Sequence, residues 1–142
     1  MKKVTVDASV ALKWFLADEE YGTKAVNLLS DYISGKLDLI APSLLEYEVL
    51  NGLLIAGKRG RIKEEEILSA LNGFSNLEIT LKHISQLSRQ VFKFCRIYNC
   101  SVYDAAYLAV AVSESAPLLT ADEKLYNSVK KNLKWVKWIG DI

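Results

Sequence analysis

Four acids in this chain, Asp7, Glu48, Asp104 and Asp122, fall where a carboxylate is either a local structural device or a ligand. Asp7 ends the run Val4-Thr5-Val6 and stands directly before Ala8-Ser9-Val10, where a helical pattern opens. The carboxyl edge of a strand in an open α/β sheet is where ligands bind, yet an Asp there also caps the following helix, and both readings stand. Glu48 shares a helical face with Leu44, Leu45, Gly52 and Ile55 at about 100° per residue, while Glu46 points nearly the opposite way. Glu48 is therefore expected on the buried stripe. A buried carboxylate needs a cation, an ion-pair partner or a proton. No Lys or Arg lies one turn away on that face, where Asn51 is the polar neighbour. Asp104, in line with Leu108 and Ala111 and three residues after Ser101, either completes a capping box or faces a ligand. Asp122 follows Leu118-Leu119-Thr120-Ala121 and either favours a helix N-terminus through the macrodipole or joins the other acids.

Two of these acids follow strand ends and two sit near the starts of helices that can converge on one sheet edge; independent capping does not predict such convergence. Clustered carboxylates repel and raise one another's pKa, so a cluster is tolerated at neutral pH chiefly when divalent cations occupy it. All-oxygen ligands select Mg²⁺ or Mn²⁺ over zinc. Zinc is disfavoured independently, because the chain has one histidine, His83, and two cysteines, Cys95 and Cys100, at a spacing that fits neither CxxC nor the usual zinc patterns. Reduced, partly buried thiols and a surface or helix-end histidine are expected.

The elements that must position the acids alternate between short β-rich runs and longer helical stretches, the pattern of an α/β domain with a parallel sheet. Strands are expected at Lys3–Asp7, Leu37–Ala41, Leu77–Leu81, Pro117–Thr120 and Lys134–Trp138. Helices are expected at Ser9–Ala17, Gly22–Ser34, Ser43–Ala56, Lys63–Phe74, Ile84–Ile97, Tyr103–Ser113 and Asp122–Lys131. Capping signatures appear at Ser43 with Glu46, Ser101 with Asp104, and Thr120 with Glu123. Gly57-Lys58-Arg59-Gly60-Arg61 reads as a helix stop and exposed turn rather than a domain boundary.

With 142 residues, 51% hydrophobic and 25% charged, one domain with one core is expected, spanning residues 1–142. A net charge of +1 does not announce a nucleic-acid partner, so any electropositive surface must come from local clustering. The N-terminus lacks a signal-peptide pattern and the apolar runs fall short of the about 20 residues that span a bilayer, which makes a soluble cytoplasmic protein the expectation. Neither GxGxxG nor a P-loop follows the first strand, and Ser9 stands where a dehalogenase-type phosphatase would place a second Asp.

Through Val4-Thr5-Val6-Asp7-Ala8-Ser9, Pro42 to Glu48-Val49-Leu50-Asn51, Tyr103-Asp104-Ala105-Ala106-Tyr107-Leu108-Ala109 and Leu119-Thr120-Ala121-Asp122, the chain resembles the PIN-domain family, most like the toxin half of VapBC toxin-antitoxin pairs. The likeness runs from Lys3 to Trp138. It implies a three-layer α/β/α sandwich around a five-stranded parallel sheet ordered 3-2-1-4-5. It also implies that Asp7, Glu48, Asp104 and Asp122 form the acidic quartet that holds Mg²⁺ or Mn²⁺, with Ser9, Asn51 and Thr120 as supporting polar residues. Gly52 stands where a better helix former is common, at a local cost of about 1 kcal/mol.

The activity implied is metal-dependent hydrolysis of RNA phosphodiester bonds, with a VapB-like antitoxin as partner. The alternatives are a PIN nuclease of RNA processing without an antitoxin, or a catalytically silent PIN-like module that binds RNA or protein. Lys13, Lys58, Arg59, Arg61 and Lys124 are the candidate phosphate contacts. Trp14, Phe15, Tyr47 and Tyr107 either stack on bases or pack in the core. Apolar surface at Trp14, Phe15, Leu16 and Leu53-Leu54-Ile55, with the family likeness, points to a homodimer.

Overall fold

The computed structural model describes residues 2–142. Five strands, β1 (Lys2–Val6), β2 (Leu37–Pro42), β3 (Thr80–Lys82), β4 (Leu118–Thr120) and β5 (Val136–Trp138), form one sheet in the order β3-β2-β1-β4-β5, every pairing parallel. The seven helices are α1 (Ala8–Ala11), α2 (Gly22–Ile33), α3 (Leu44–Lys58), α4 (Glu64–Asn76), α5 (Ser88–Tyr98), α6 (Val102–Ser113) and α7 (Glu123–Val129). Together they complete the three-layer α/β/α sandwich. No helix among the described residues is long and apolar enough to cross a membrane.

Parallel strands covered on both faces need near-continuous apolar sequence, which β1 and β2 supply with Val4, Val6, Leu39, Ile40 and Ala41. Thr5 is fully buried among them, and its hydroxyl donates to the Ala116 carbonyl at 3.0 Å. Helix α6 runs through the interior, with every residue from Ala105 to Ala111 buried. It packs on β1, β2 and β4 and against α5, and its four alanines keep that approach short. Ser101 begins α6 as expected, its hydroxyl accepting the Asp104 N–H at 3.1 Å.

Several boundaries differ from expectation. The first helix ends at Ala11 and tightens into a 3₁₀ turn at Leu12–Trp14 instead of continuing to Ala17. There the Trp14 indole N–H donates to the Ala25 carbonyl, and Phe15 packs edge-on against both Trp14 and Phe74. Strand β3 starts only at Thr80, because Leu77 still closes α4 and Glu78 takes a left-handed φ of 52°. Helix α5 begins at Ser88 rather than Ile84, since residues Ile84 to Leu87 form a separate turn.

Two of the three capping assignments are also corrected. Ser43 has helical backbone angles and makes no side-chain cap; its N–H extends the β2–β3 ladder by donating to the Lys82 carbonyl. Thr120 is engaged elsewhere, and Asp122 caps α7 by accepting the Leu125 N–H. Gly52 has a packing reason: a Cβ there would lie 2.5 Å from a Leu12 methyl, so the glycine lets α3 settle against the 3₁₀ turn.

The close seating of α6 has a measurable consequence. Ala109 has no exposed surface, so Ala109→Leu should destabilise the fold by about 1–3 kcal/mol through overpacking. Urea unfolding followed by circular dichroism measures this; an unchanged midpoint would mean that α6 has room to spare against the sheet.

Candidate active site

Asp7 emerges from the C-terminal end of β1, the middle strand, and its carboxylate is 4% exposed. One oxygen, Oδ1, accepts from the Ser9 hydroxyl at 2.5 Å and from the Val10 N–H at 3.3 Å; the other, Oδ2, accepts from the Thr120 hydroxyl at 2.5 Å. Both hydroxyls also accept: Ser9 Oγ from the Ala121 N–H at 2.8 Å and Thr120 Oγ1 from the Asp122 N–H at 3.0 Å. The ends of β1 and β4, adjacent strands, are thus clipped together through one carboxylate. Asp7 is a helix cap and a centrally placed acid at once, so the two readings of its position are compatible.

Burial first, and then the nearby charge of Asp122, push the Asp7 carboxyl up to about 6 against the pull of Ser9, Thr120 and Val10. Asp104, half-buried at the first turn of α6, is raised too, first by burial and then by the charges of Asp122 and Glu48; Ser101 and Lys124 act in the opposite sense. Glu48 accepts a 2.6 Å hydrogen bond from the phenol of Tyr107, which is 2% exposed. Burial, that hydrogen bond and the charges of Glu48 and Asp7 hold the phenol well above its usual range and keep it a donor. The structure therefore gathers Asp7, Glu48, Asp104 and Asp122 into one electrostatic neighbourhood at the C-terminal edge of the sheet.

Gathered does not mean closed. Among the described residues no three His, Cys, Asp or Glu side chains stand close enough to hold one ion as they are placed. The chemistry of the set nevertheless suits an oxygen-preferring divalent cation: the donors are all carboxylates, and their charges oppose one another.

Glu48 lies at the margin of the buried stripe rather than on it. Leu45, Val49, Leu53 and Ala56 form that stripe, and Glu48 is half-exposed. Its partner, Tyr107, was legible only as a core or stacking aromatic, although its place one turn after Asp104 on the same helix face was a usable signal. Asn51 is exposed and makes no hydrogen bond to the acids among the described residues.

Among the cations, Lys124 is the one whose charge acts on Asp104, and its side chain is exposed beside the acids. Lys13 is 8% exposed and faces Glu19 at 3.6 Å. Arg61 is not a free phosphate contact, because it grips Asp18 through two nitrogens and Glu19 at 2.7 Å. Arg59 and Lys58 lie exposed at the far end of α3, and Arg59 is about 16 Å along the helix axis from Glu48. Trp14 and Phe15 pack against the chain's own core, whereas Tyr47 is 73% exposed. His83 is exposed, and Cys95 and Cys100 are free, half-buried thiols.

The raised Asp7 carboxyl carries a stability consequence with a definite sign. Its ionised form is disfavoured in the folded state, so the destabilisation is absent below about pH 4, grows as pH rises toward 6 and is complete above it. Asp7→Asn removes that charge, while Ser9 and Thr120 can still pair with an amide. In EDTA at pH 7.5 the variant should gain about 1–3 kcal/mol, and the gain should disappear at pH 4. Thermal unfolding at the two pH values measures it; a loss of stability at pH 7.5 would make Asp7 a structural cap first.

The family model described as "PIN domain" matches residues 4–131. Ribonuclease VapC3 of Pyrobaculum aerophilum is 31% identical over 127 residues, covering 87% of this chain and 92% of that one. Ribonuclease VapC9 of Mycobacterium tuberculosis is 28% identical over 122 residues, covering 86% and 87%. Among solved structures, PAE2754 from Pyrobaculum aerophilum superposes with a TM-score of 0.70 at 21% identity, covering 99% of this chain and 91% of that chain. Mycobacterium tuberculosis VapC20, described as a Sarcin-Ricin loop cleaving toxin, gives 0.64 at 14%, covering 89% and 95%. The matched span takes in all four acids and, from Val4 onward, every strand but β5, and the chain belongs to the PIN-domain family, among its VapC-type members.

Proposed function

We propose that this chain is a Mg²⁺- or Mn²⁺-dependent endoribonuclease, the toxin of a type II toxin-antitoxin pair. The observation that carries the reading is the grouping of Glu48, Asp104 and Asp122, whose charges act on one another, near a buried Asp7 at the C-terminal edge of the central strand. Relatives that match over most of their length and bear the name ribonuclease support the choice of RNA as substrate.

Asp7, Glu48, Asp104 and Asp122 are the residues that would hold the cation, which when bound supplies Lewis acidity to water and neutralises charge on phosphate oxygens. Ser9 and Thr120 fix both oxygens of Asp7, so that its orientation is set before substrate arrives. Tyr107 does the same for one oxygen of Glu48 and leaves the other unencumbered by that bond. Lys124, exposed beside Asp104, offsets the acidic charge that would otherwise repel an RNA phosphate.

A VapB-like antitoxin is the proposed partner and the cytoplasm the proposed location. The proposed homodimer uses the outer face of α3, which keeps Leu54 and Ile55 of the residues the sequence suggested and leaves out those that are buried. Leu16 and Leu53 belong to the chain's own core, whereas Tyr47, Leu50 and Leu54 line one exposed face of that helix. Light scattering at micromolar concentration should show twice the chain mass, and Leu50→Glu with Leu54→Glu should return it to monomer; a monomeric wild type would rule the dimer out.

The activity itself is tested by incubating labelled RNA with the protein in Mn²⁺, in Mg²⁺ and in EDTA. Cleavage should occur with either metal, stop in EDTA, and fall at least 100-fold in Asp7→Asn. Near-normal cleavage by that variant would remove Asp7 from the mechanism, and cleavage that persists in EDTA would remove the metal.

A further inference from the structure

A groove of about 480 Å³ opens next to Asp122, lined by none of the four acids, and nothing in the proposed hydrolysis uses it. It begins at the turn after β4: Ala121 and Glu123, the neighbours of Asp122 on either side, both line it. Three aromatic rings form its walls. Tyr21 meets Trp138 edge-on with centroids 5.9 Å apart, and Tyr126 lies tilted against Trp138 at 5.6 Å. All three line the groove and are only partly buried. Tyr21 holds its place at a left-handed φ of 62°, a conformation that costs a non-glycine residue about 1–2 kcal/mol.

The polar groups around these rings select the occupant. Lys13 contributes a nearly buried ammonium that already faces Glu19, while Glu20 and Glu123 place two exposed carboxylates at the rim. The charge balance is not positive, so the groove does not suit a phosphate. It suits a flat heterocycle with donors and acceptors along its edge. Aromatic faces stack on any nucleobase. Glu123 and Asn127 can accept from ring or exocyclic N–H groups, and Lys13 and the Asn127 amide can donate to ring carbonyls.

We propose that this groove receives the base of the nucleotide next to the scissile phosphate, with Tyr126 and Trp138 supplying the stacking surface and Asn127 reading the base edge. The inference rests on the nuclease reading and adds to it the residues that set sequence preference. Because the groove starts within one residue of Asp122, a base lodged in it would present the adjoining phosphate to the acids.

The test is binding in EDTA, where cleavage cannot interfere, using hexaribonucleotides of A, of C and of U together with a hexamer of abasic ribose phosphates. Base-bearing hexamers should quench tryptophan fluorescence and the abasic hexamer should not. Trp138→Phe should lose the quench while anisotropy still reports binding. Tyr126→Leu should weaken the base-bearing hexamers by about 5- to 150-fold and leave the abasic one unchanged. Asn127→Ala, at an exposed position where folding is not at stake, should reorder the three bases.

Equal binding of abasic and base-bearing hexamers would overturn the proposal. So would wild-type affinity and ranking in both Tyr126→Leu and Asn127→Ala. Cleavage of long RNA in Mn²⁺, run in parallel, separates the two failures: cleavage without base discrimination sinks the groove alone, and no cleavage sinks the nuclease reading and the groove's role with it.

Discussion

Holding an ionisable carboxylate almost out of water at the end of the middle strand is the constraint around which the rest of this protein is arranged. A buried charge survives only with several good hydrogen bonds or a counter-charge. Asp7 obtains hydrogen bonds from two hydroxyls and one amide, and those hydroxyls come from two different elements. Ser9 must open α1 within reach, and Thr120 must end β4 in register beside β1. The pairing of Thr5 with Leu118 and of Val6 with Leu119 delivers it there. The parallel order of the sheet is thus not only a packing solution. It is what lets residues more than a hundred positions apart share one proton-rich contact.

The second tie, from Tyr107 to Glu48, spans two helices. Helix α6 is buried along most of its length, so a phenol projecting from it has little freedom, and α3 receives a fixed donor in return. Two of the four acids are therefore positioned by neutral O–H groups rather than by cations. Neutral donors orient a carboxylate without cancelling its charge, which leaves the site its negative field for the cation we propose.

Much of this was legible in the sequence because it depends on local pattern. The strand and helix alternation, the five strands, the Asp7 strand end and the Ser101 cap all follow from residues within a few positions of one another. What was illegible depended on distant contacts. Local pattern alone read Thr120 as a cap for α7, a role that Asp122 takes; only the family likeness set its hydroxyl beside the acids, where it serves Asp7. Glu48 read as buried because helical periodicity cannot see that α3 has apolar residues on two sides, one packed and one exposed. Arg61 read as a phosphate contact because Asp18 and Glu19 are more than forty residues away in the chain. Gly52 read as a local weakness until Leu12 was found against it.

The Arg61 clasp reaches further than its own position. Its guanidinium, at the end of the α3–α4 connection, binds the two acids that immediately precede Glu20 and Tyr21, and one of them, Glu19, also faces Lys13. The segment that bears Tyr21 is thus moored in part by the Arg61 ion pairs, which are open to solvent and weaken as added salt screens them. Ionic strength then acts on those ion pairs as well as on the screening of RNA phosphates. A salt-dependence measured on this protein would be a composite of two slopes, one from the substrate's counterions and one from the loosening of its own mooring.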